Sequence, residues 1–149
     1  MKIGKKQIIL LIFLFFLAVG IFYFSSQNGE KSGGFSENLT EKILQIFEIT
    51  NVDEENAERF LRKTAHFVEF YILGGLLCLI FLSFRRSMRM SGGLSFGIAF
   101  LYACIDEFHQ FFVPERAASF FDVLLDSTGA FFGILTVLGV CFFRSKKKS

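Results

Sequence analysis

Residues 64–84 read TAHFVEFYILGGLLCLIFLSF and are followed at once by Arg85 and Arg86. At about 1.5 Å per residue, a helix of this length covers the ~30 Å hydrocarbon core of a bilayer. Its ionisable groups, His66 and Glu69, lie near its start, and the cations lie beyond its end. The same polarity recurs along the chain. Ser91 to Phe112 is a second apolar run, joined to the first by a short basic loop, so the two form an antiparallel pair. A further span runs from about Asp122 to Phe143, after a turn holding Pro114. Gln7 to Phe24 is an uncharged stretch ahead of them all. The expected fold is all-α: an integral membrane bundle of four transmembrane helices with a short external amphipathic helical segment.

Bulk composition agrees. The chain has 149 residues, is 52% hydrophobic and carries 23 phenylalanines, one proline and no tryptophan. That leaves too little polar surface for an ordinary soluble domain. Cys78, Cys104 and Cys141 lie in separate apolar runs without a C-x-x-C spacing, and read as small buried groups rather than a disulfide framework. Basic residues come in short tracts flanking spans, which argues for topology signals and against a nucleic-acid partner.

Charge is sorted by segment. Lys2, Lys5 and Lys6, then Arg85, Arg86 and Arg89, then Arg144, Lys146, Lys147 and Lys148 fall on one side. All 14 Asp and Glu residues fall on the other. The positive-inside rule then places both termini in the cytoplasm. Residues 1–24 become a cytoplasmic tip and the first helix, 25–63 an extracellular segment, 64–143 a three-helix core, and 144–149 a basic cytoplasmic tail. The first span follows lysines as a signal peptide would, with Ala18-Val19-Gly20 as a poor cleavage site. Its length favours an uncleaved helix. In the external segment Leu39, Ile43, Ile46 and Phe47 form one apolar stripe, with Asn38 and Glu41 spaced as a capping pair. Thr50 and Asp53 start a helix that runs into the second span. Gly129-x-x-x-Gly133 and Gly93-x-x-x-Gly97 read as helix-packing surfaces.

Ionisable groups are costly in hydrocarbon, so those inside spans direct attention to function. His66 and Glu69 are three apart on one face. Asp106, His109 and Gln110 share a face of the next span, with Glu107 about a quarter-turn away, and Asp122 and Asp126 are four apart on the last. The antiparallel arrangement brings these groups to similar depth, forming one outward-opening polar pocket with Arg116 and Lys63 at its rim. Arg116, six residues before Asp122, is the expected charge partner of the carboxylates. His66, Glu69, Asp106 and His109 are candidate ligands for a divalent metal, since imidazole with carboxylate suits zinc or manganese. The same groups could serve as general base and orienter, or form a structural network. No nucleophile with an assigned base is evident.

The blocks Arg62-Lys63-Thr64-Ala65-His66-Phe67-Val68-Glu69-Phe70, Asp106-Glu107-Phe108-His109-Gln110, Val113-Pro114-Glu115-Arg116, Asp122-Val123-Leu124 and Gly129-Ala130-Phe131-Phe132-Gly133 follow in order. Over Arg62 to Gly133 the chain resembles the VanZ-like family of small bacterial membrane proteins. It departs from that pattern at Glu115, where the family usually has glycine, and at Asp126, where asparagine is common. The resemblance implies a multi-pass protein of the bacterial cell membrane, with a role in envelope physiology or teicoplanin-type glycopeptide resistance. Two functional readings stand. One is a protein that engages a polar headgroup, lipid-linked precursor or amphiphilic ligand at the outer leaflet. The other is a membrane-embedded, metal-dependent hydrolase or transferase acting on a lipid-linked envelope substrate.

Overall fold

The structure, a computed structural model, describes residues 4–26, 54–113 and 119–147. Within them are four helices: α1 Lys5–Ser25, α2 Glu54–Ser83, α3 Met88–Gln110 and α4 Phe120–Lys146. Each is long and apolar enough to cross a membrane. The expected spans are therefore present, with ends shifted by a few residues. α2 starts well before residue 64, so the acidic turn at Glu54 does run without a break into the span, as expected. The amphipathic stripe at 39–47 and its capping pair lie outside the described residues, as does Arg116.

α2 and α4 form the principal pair, α3 packs on both, and α1 lies against α2 with only light contact to α3. The α2–α4 crossing is backbone against backbone. A Cβ at Gly129 would collide with the carbonyl oxygen of Phe67, and one at Gly133 with that of Tyr71. Reciprocally, a Cβ at Gly74 would strike the Ala130 backbone. Contact positions rise together along both helices, so α2 and α4 run parallel, with α3 returning between them. Their starts and the end of α3 share one end of the bundle.

On α3 the packing face is Ser91, Ser95, Ala99 and Ala103, each fully buried and spaced by four. Small side chains there let helices approach closely where lipid gives no hydrophobic drive for association. Gly93 and Gly97 are on the outside of the bundle instead. Nothing among the described residues lies within 4 Å of a Cβ built at either. The second glycine pair thus makes no packing surface with the described residues. Phe70, Leu73, Leu77, Val123, Ala130 and Ile21 complete the apolar core.

The α2–α3 turn ends α2 with Arg86 N–H donating to the Phe81 carbonyl (3.4 Å) and Arg85 N–H to that of Leu82 (3.0 Å). This is the pattern of a helix closed by a left-handed residue, and Arg85 has φ 59°. Glycine usually holds that position. Here an arginine holds it, in the basic loop that the sequence reads as a topology signal.

α1 is mostly exposed to the surroundings and is held by polar pins. Gln7 Nε2 donates to the Ser83 carbonyl (3.0 Å), Tyr102 Oη to the Ala18 carbonyl (2.7 Å) and Ser25 Oγ to Asp106 (3.0 Å).

Gly133→Leu forces the α2–α4 pair apart, whereas Gly97→Leu meets open space. Overpacking of this kind costs about 1–3 kcal/mol, so Gly133→Leu should lower the melting temperature in detergent by about 3–10 °C. Gly97→Leu should melt within error of the parent.

Candidate functional site

Arg59, Arg62, Lys63 and His66 lie at i, i+3, i+4 and i+7 of α2, a single stripe about 10 Å long. They line a cavity of about 340 Å³ at the end of the bundle where α2 and α4 begin. Glu107 and Gln110 close it from the last turn of α3. Ser119, Asp122, Leu125 and Asp126 close it from the start of α4. Cations thus occupy the outer stretch of the α2 wall, with His66 one turn deeper.

Two of the carboxylates have structural partners. Lys63 Nζ contacts Asp122 Oδ1 in an ion pair with the lysine about half exposed. Pairs so open to solvent contribute little to stability, about 0–1 kcal/mol. Glu107 Oε1 accepts the backbone N–H of Ser119 at 2.6 Å. Ser119 is the N-cap of α4, and its own side chain makes no capping bond. A carboxylate from α3 therefore sits at the positive end of the α4 dipole, where negative charge is favoured.

Asp106 is more central. It is 1% exposed, and its Oδ2 accepts from Ser25 Oγ of α1 at 3.0 Å and from Gln110 Nε2 of α3 at 2.9 Å. Its Oδ1 is buried and makes no hydrogen bond among the described residues, and the same holds for Oδ1 of Asp126, which is 4% exposed. His66, Asp106 and Asp126 each present a ligand atom, all within 4.8 Å of one another. The three belong to α2, α3 and α4. An imidazole nitrogen with two carboxylate oxygens is a donor set for a divalent ion such as zinc or manganese.

The remaining sequence candidates fall around this cluster. Glu69 Oε2 lies 3.9 Å from His66 Nδ1. His109 stands beside the cluster rather than in it: its ring packs on Phe22 of α1, with centroids 4.4 Å apart at 45°. Of the four metal candidates, His66 and Asp106 are in the cluster, and Asp126 supplies its third group. The cation found on Asp122 is Lys63, while Arg116 lies outside the described residues. Sequence reading passed over Arg59 and Arg62, although their spacing from His66 marks one helical face. It also passed over Ser25 as a site residue. No local pattern links a serine at the end of α1 to an aspartate 81 positions away.

Four membrane-length helices with a buried polar cluster at one end define a multi-pass membrane protein. The VanZ/LLP1 family model matches residues 10–144, and the chain belongs to that family, in keeping with the resemblance read from residues 62–133. No curated protein and no solved structure matches it.

Glu107 has a definite structural duty, which sets it apart from its neighbours. Glu107→Ala should leave the α4 N-terminus without its acceptor, at a cost of about 0.5–2 kcal/mol, read as a loss of about 2–6 °C in detergent melting. Glu107→Gln keeps an oxygen for the Ser119 N–H and should recover most of the loss. Equal loss in both variants would mean that the charge, not the cap, is what matters.

Proposed function

We propose that this protein binds the polar, anionic headgroup of a membrane amphiphile in a pocket at the outer end of its helix bundle. The observation that carries the reading is the cavity of about 340 Å³ walled on the α2 side by Arg59, Arg62 and Lys63 above His66, with Glu107, Asp122 and Asp126 on the facing walls. Such a volume is at the lower end of small-molecule sites, about 300–1,000 Å³, and suits a headgroup rather than a whole lipid. Guanidinium groups fork onto two oxygens at once and are weakly hydrated, which favours oxyanions such as phosphate or carboxylate. The apolar part of the ligand would stay in lipid along the helices, where Phe60, Phe120 and Phe121 are exposed.

Orientation follows from the charge sorting. Of the ten Lys and Arg residues of the termini and the 85–89 loop, those among the described residues are at the end opposite the cavity, so the positive-inside rule turns the cavity outward. Segment 25–63 would then be external and residues 144–149 cytoplasmic. An outward headgroup pocket fits a role in envelope physiology. A teicoplanin-type glycopeptide, or the lipid-linked envelope precursor in its pathway of action, belongs to the ligand class proposed. Arg116, from the turn between α3 and α4, is included in the proposed pocket on sequence grounds.

A second reading is favoured by one specific observation, the clustering of His66, Asp106 and Asp126. In that reading the pocket belongs to a metal-dependent hydrolase or transferase acting on a lipid-linked substrate. Conversion of the bound amphiphile, rather than simple retention, separates it from the first.

Two measurements check the binding reading. With protein in phosphatidylcholine nanodiscs and chelator present, dioctanoyl phosphatidic acid should bind at least about tenfold more tightly than dioctanoylglycerol, a difference of about 1.4 kcal/mol. Arg59→Ala with Arg62→Ala should remove most of that preference. Equal binding of the two lipids would overturn the reading. For orientation, a cysteine-free variant carrying Lys63→Cys should label from outside intact cells and one carrying Ser149→Cys should not.

A further inference from the structure

We propose that His66, Asp106 and Asp126 form a divalent-metal site, and that the cation held there binds the phosphate of the pocket's ligand. The metal half of the proposal stands on side-chain geometry alone. The phosphate half rests on the headgroup-binding reading above.

Geometry comes first. Three donors at about 2.0–2.2 Å from one ion lie about 3.3–3.8 Å from one another in tetrahedral or trigonal geometry. The three donor atoms here lie within 4.8 Å of one another, so side-chain movements of up to about 1 Å close the site. The donors come from three helices, and the close α2–α4 packing at Gly129 holds two of those helices in fixed register beside it. A site on rigid elements needs little reorganisation to take an ion.

The second observation is the pair of buried carboxylate oxygens. Oδ1 of Asp106 and Oδ1 of Asp126 have no hydrogen-bond partner among the described residues. Both side chains are more than nine-tenths buried. Buried polar atoms are nearly always paired, and two unpaired oxygens on neighbouring buried carboxylates call for a cation or a shared proton. A divalent ion balances the two charges and takes up both oxygens.

The third observation is how Asp106 is held. Ser25 and Gln110 both donate to Oδ2, which fixes the carboxylate and leaves Oδ1 without a hydrogen bond among the described residues. Partners of this kind orient ligands in metal sites. Three protein donors are the usual number where a metal keeps a position for an exogenous ligand. His66 itself lines the cavity, and so does Asp126. That open position therefore faces the space beneath Arg62 and Lys63. A phosphate there would bridge the ion and the cationic wall. Free phosphate and a lipid phosphate share this chemistry, and the apolar chains of the lipid give it the advantage inside a membrane.

The test uses the full chain in phosphatidylcholine nanodiscs, stripped with chelator and desalted. Manganese is titrated with detection by electron paramagnetic resonance, and zinc is counted by elemental analysis. About one ion per chain is expected, and Asp126→Asn and His66→Gln should each weaken manganese binding at least a hundredfold. Ser25→Ala keeps all three donors and removes one orienting bond, so it should fold and weaken binding about 10–100-fold. Thr128→Val, on the exposed face of α4, should bind as the parent does. Less than a tenth of an ion in the parent, or parent-like affinity in all of the Ser25, His66 and Asp126 variants, would overturn the metal site. Inorganic phosphate and dioctanoyl phosphatidic acid are then added to loaded and stripped protein. The lipid should bind at least tenfold more tightly when manganese is present, and more tightly than inorganic phosphate. A loaded site that leaves both affinities unchanged overturns the phosphate half. The chelated binding measurement of the preceding subsection judges the pocket separately.

Discussion

The close approach of α2 and α4 sets the rest of the molecule. In lipid there is no hydrophobic gain from bringing two apolar helices together, and association depends on packing and polar contacts. Gly129 and Gly133 let the α4 backbone lie on the carbonyls of Phe67 and Tyr71, and Gly74 does the same toward Ala130. Side chains at those positions would force the two backbones apart. The register so fixed places residue 67 against 129 and 71 against 133. One turn further out it places Lys63 by Asp122 and His66 by Asp126. The polar cluster is thus a consequence of a glycine register two to three turns long. α3 fits against the pair through a face of serine and alanine, and its last turn delivers Asp106, Glu107 and Gln110 to the same level.

α1 is joined differently. Most of it is exposed, and only Ile21 and Ser25 are buried. Its hold on the bundle is spread over its length: Gln7 near the start, the Ala18 carbonyl in the middle, Ser25 at the end. Each such bond in a membrane protein is worth about 0.6–2 kcal/mol. Two of the three use groups that would otherwise be unsatisfied within α2 or α3, the last carbonyl of α2 and the Tyr102 hydroxyl. The third ties α1 to Asp106. Loss of α1 would therefore disturb the orientation of a carboxylate in the cluster as well as the packing of a peripheral helix.

Much of this was legible in the residues, for reasons that differ by element. Spans of the right length with acids at one end and cations at the other can be read directly, because the bilayer sets both length and polarity. The convergence of His66, Asp106 and Asp126 followed from antiparallel connection through a short loop. Gly129 and Gly133 form the packing surface expected from their spacing, whereas spacing alone does not distinguish Gly93 and Gly97 from them. What separates the two pairs is which face of its helix meets the bundle. For α3 the Ser91-Ser95-Ala99-Ala103 run marks that face, and the two glycines are a half-turn away. The identity of the third cluster residue depended on side-chain direction. His109 shares a face with Asp106, yet its ring turns to Phe22, a contact with a helix whose position no local pattern specifies. Ser25 and Glu107 illustrate the same limit: one reaches Asp106 and the other Ser119 through tertiary packing, and each bond joins two different helices.

Asp106 links the two halves of this account. Through Ser25 it touches α1, through Gln110 it is bound within α3, and through the cluster it faces His66 of α2 and Asp126 of α4. One carboxylate therefore reports on the placement of all four helices. A charge at this depth is expensive unless something compensates it, and two neutral hydrogen-bond donors on one oxygen compensate only part. The other oxygen has no hydrogen bond among the described residues, and a second carboxylate stands close by, an arrangement that raises the cost rather than lowering it. A bundle built only for stability would place an amide at either position. Two acids instead require a cation or proton between them. Under the proposed metal site, the stability of the bundle and the occupancy of the cluster become one linked equilibrium: a cation bound between Asp106 and Asp126 would also draw α1, α3 and α4 together.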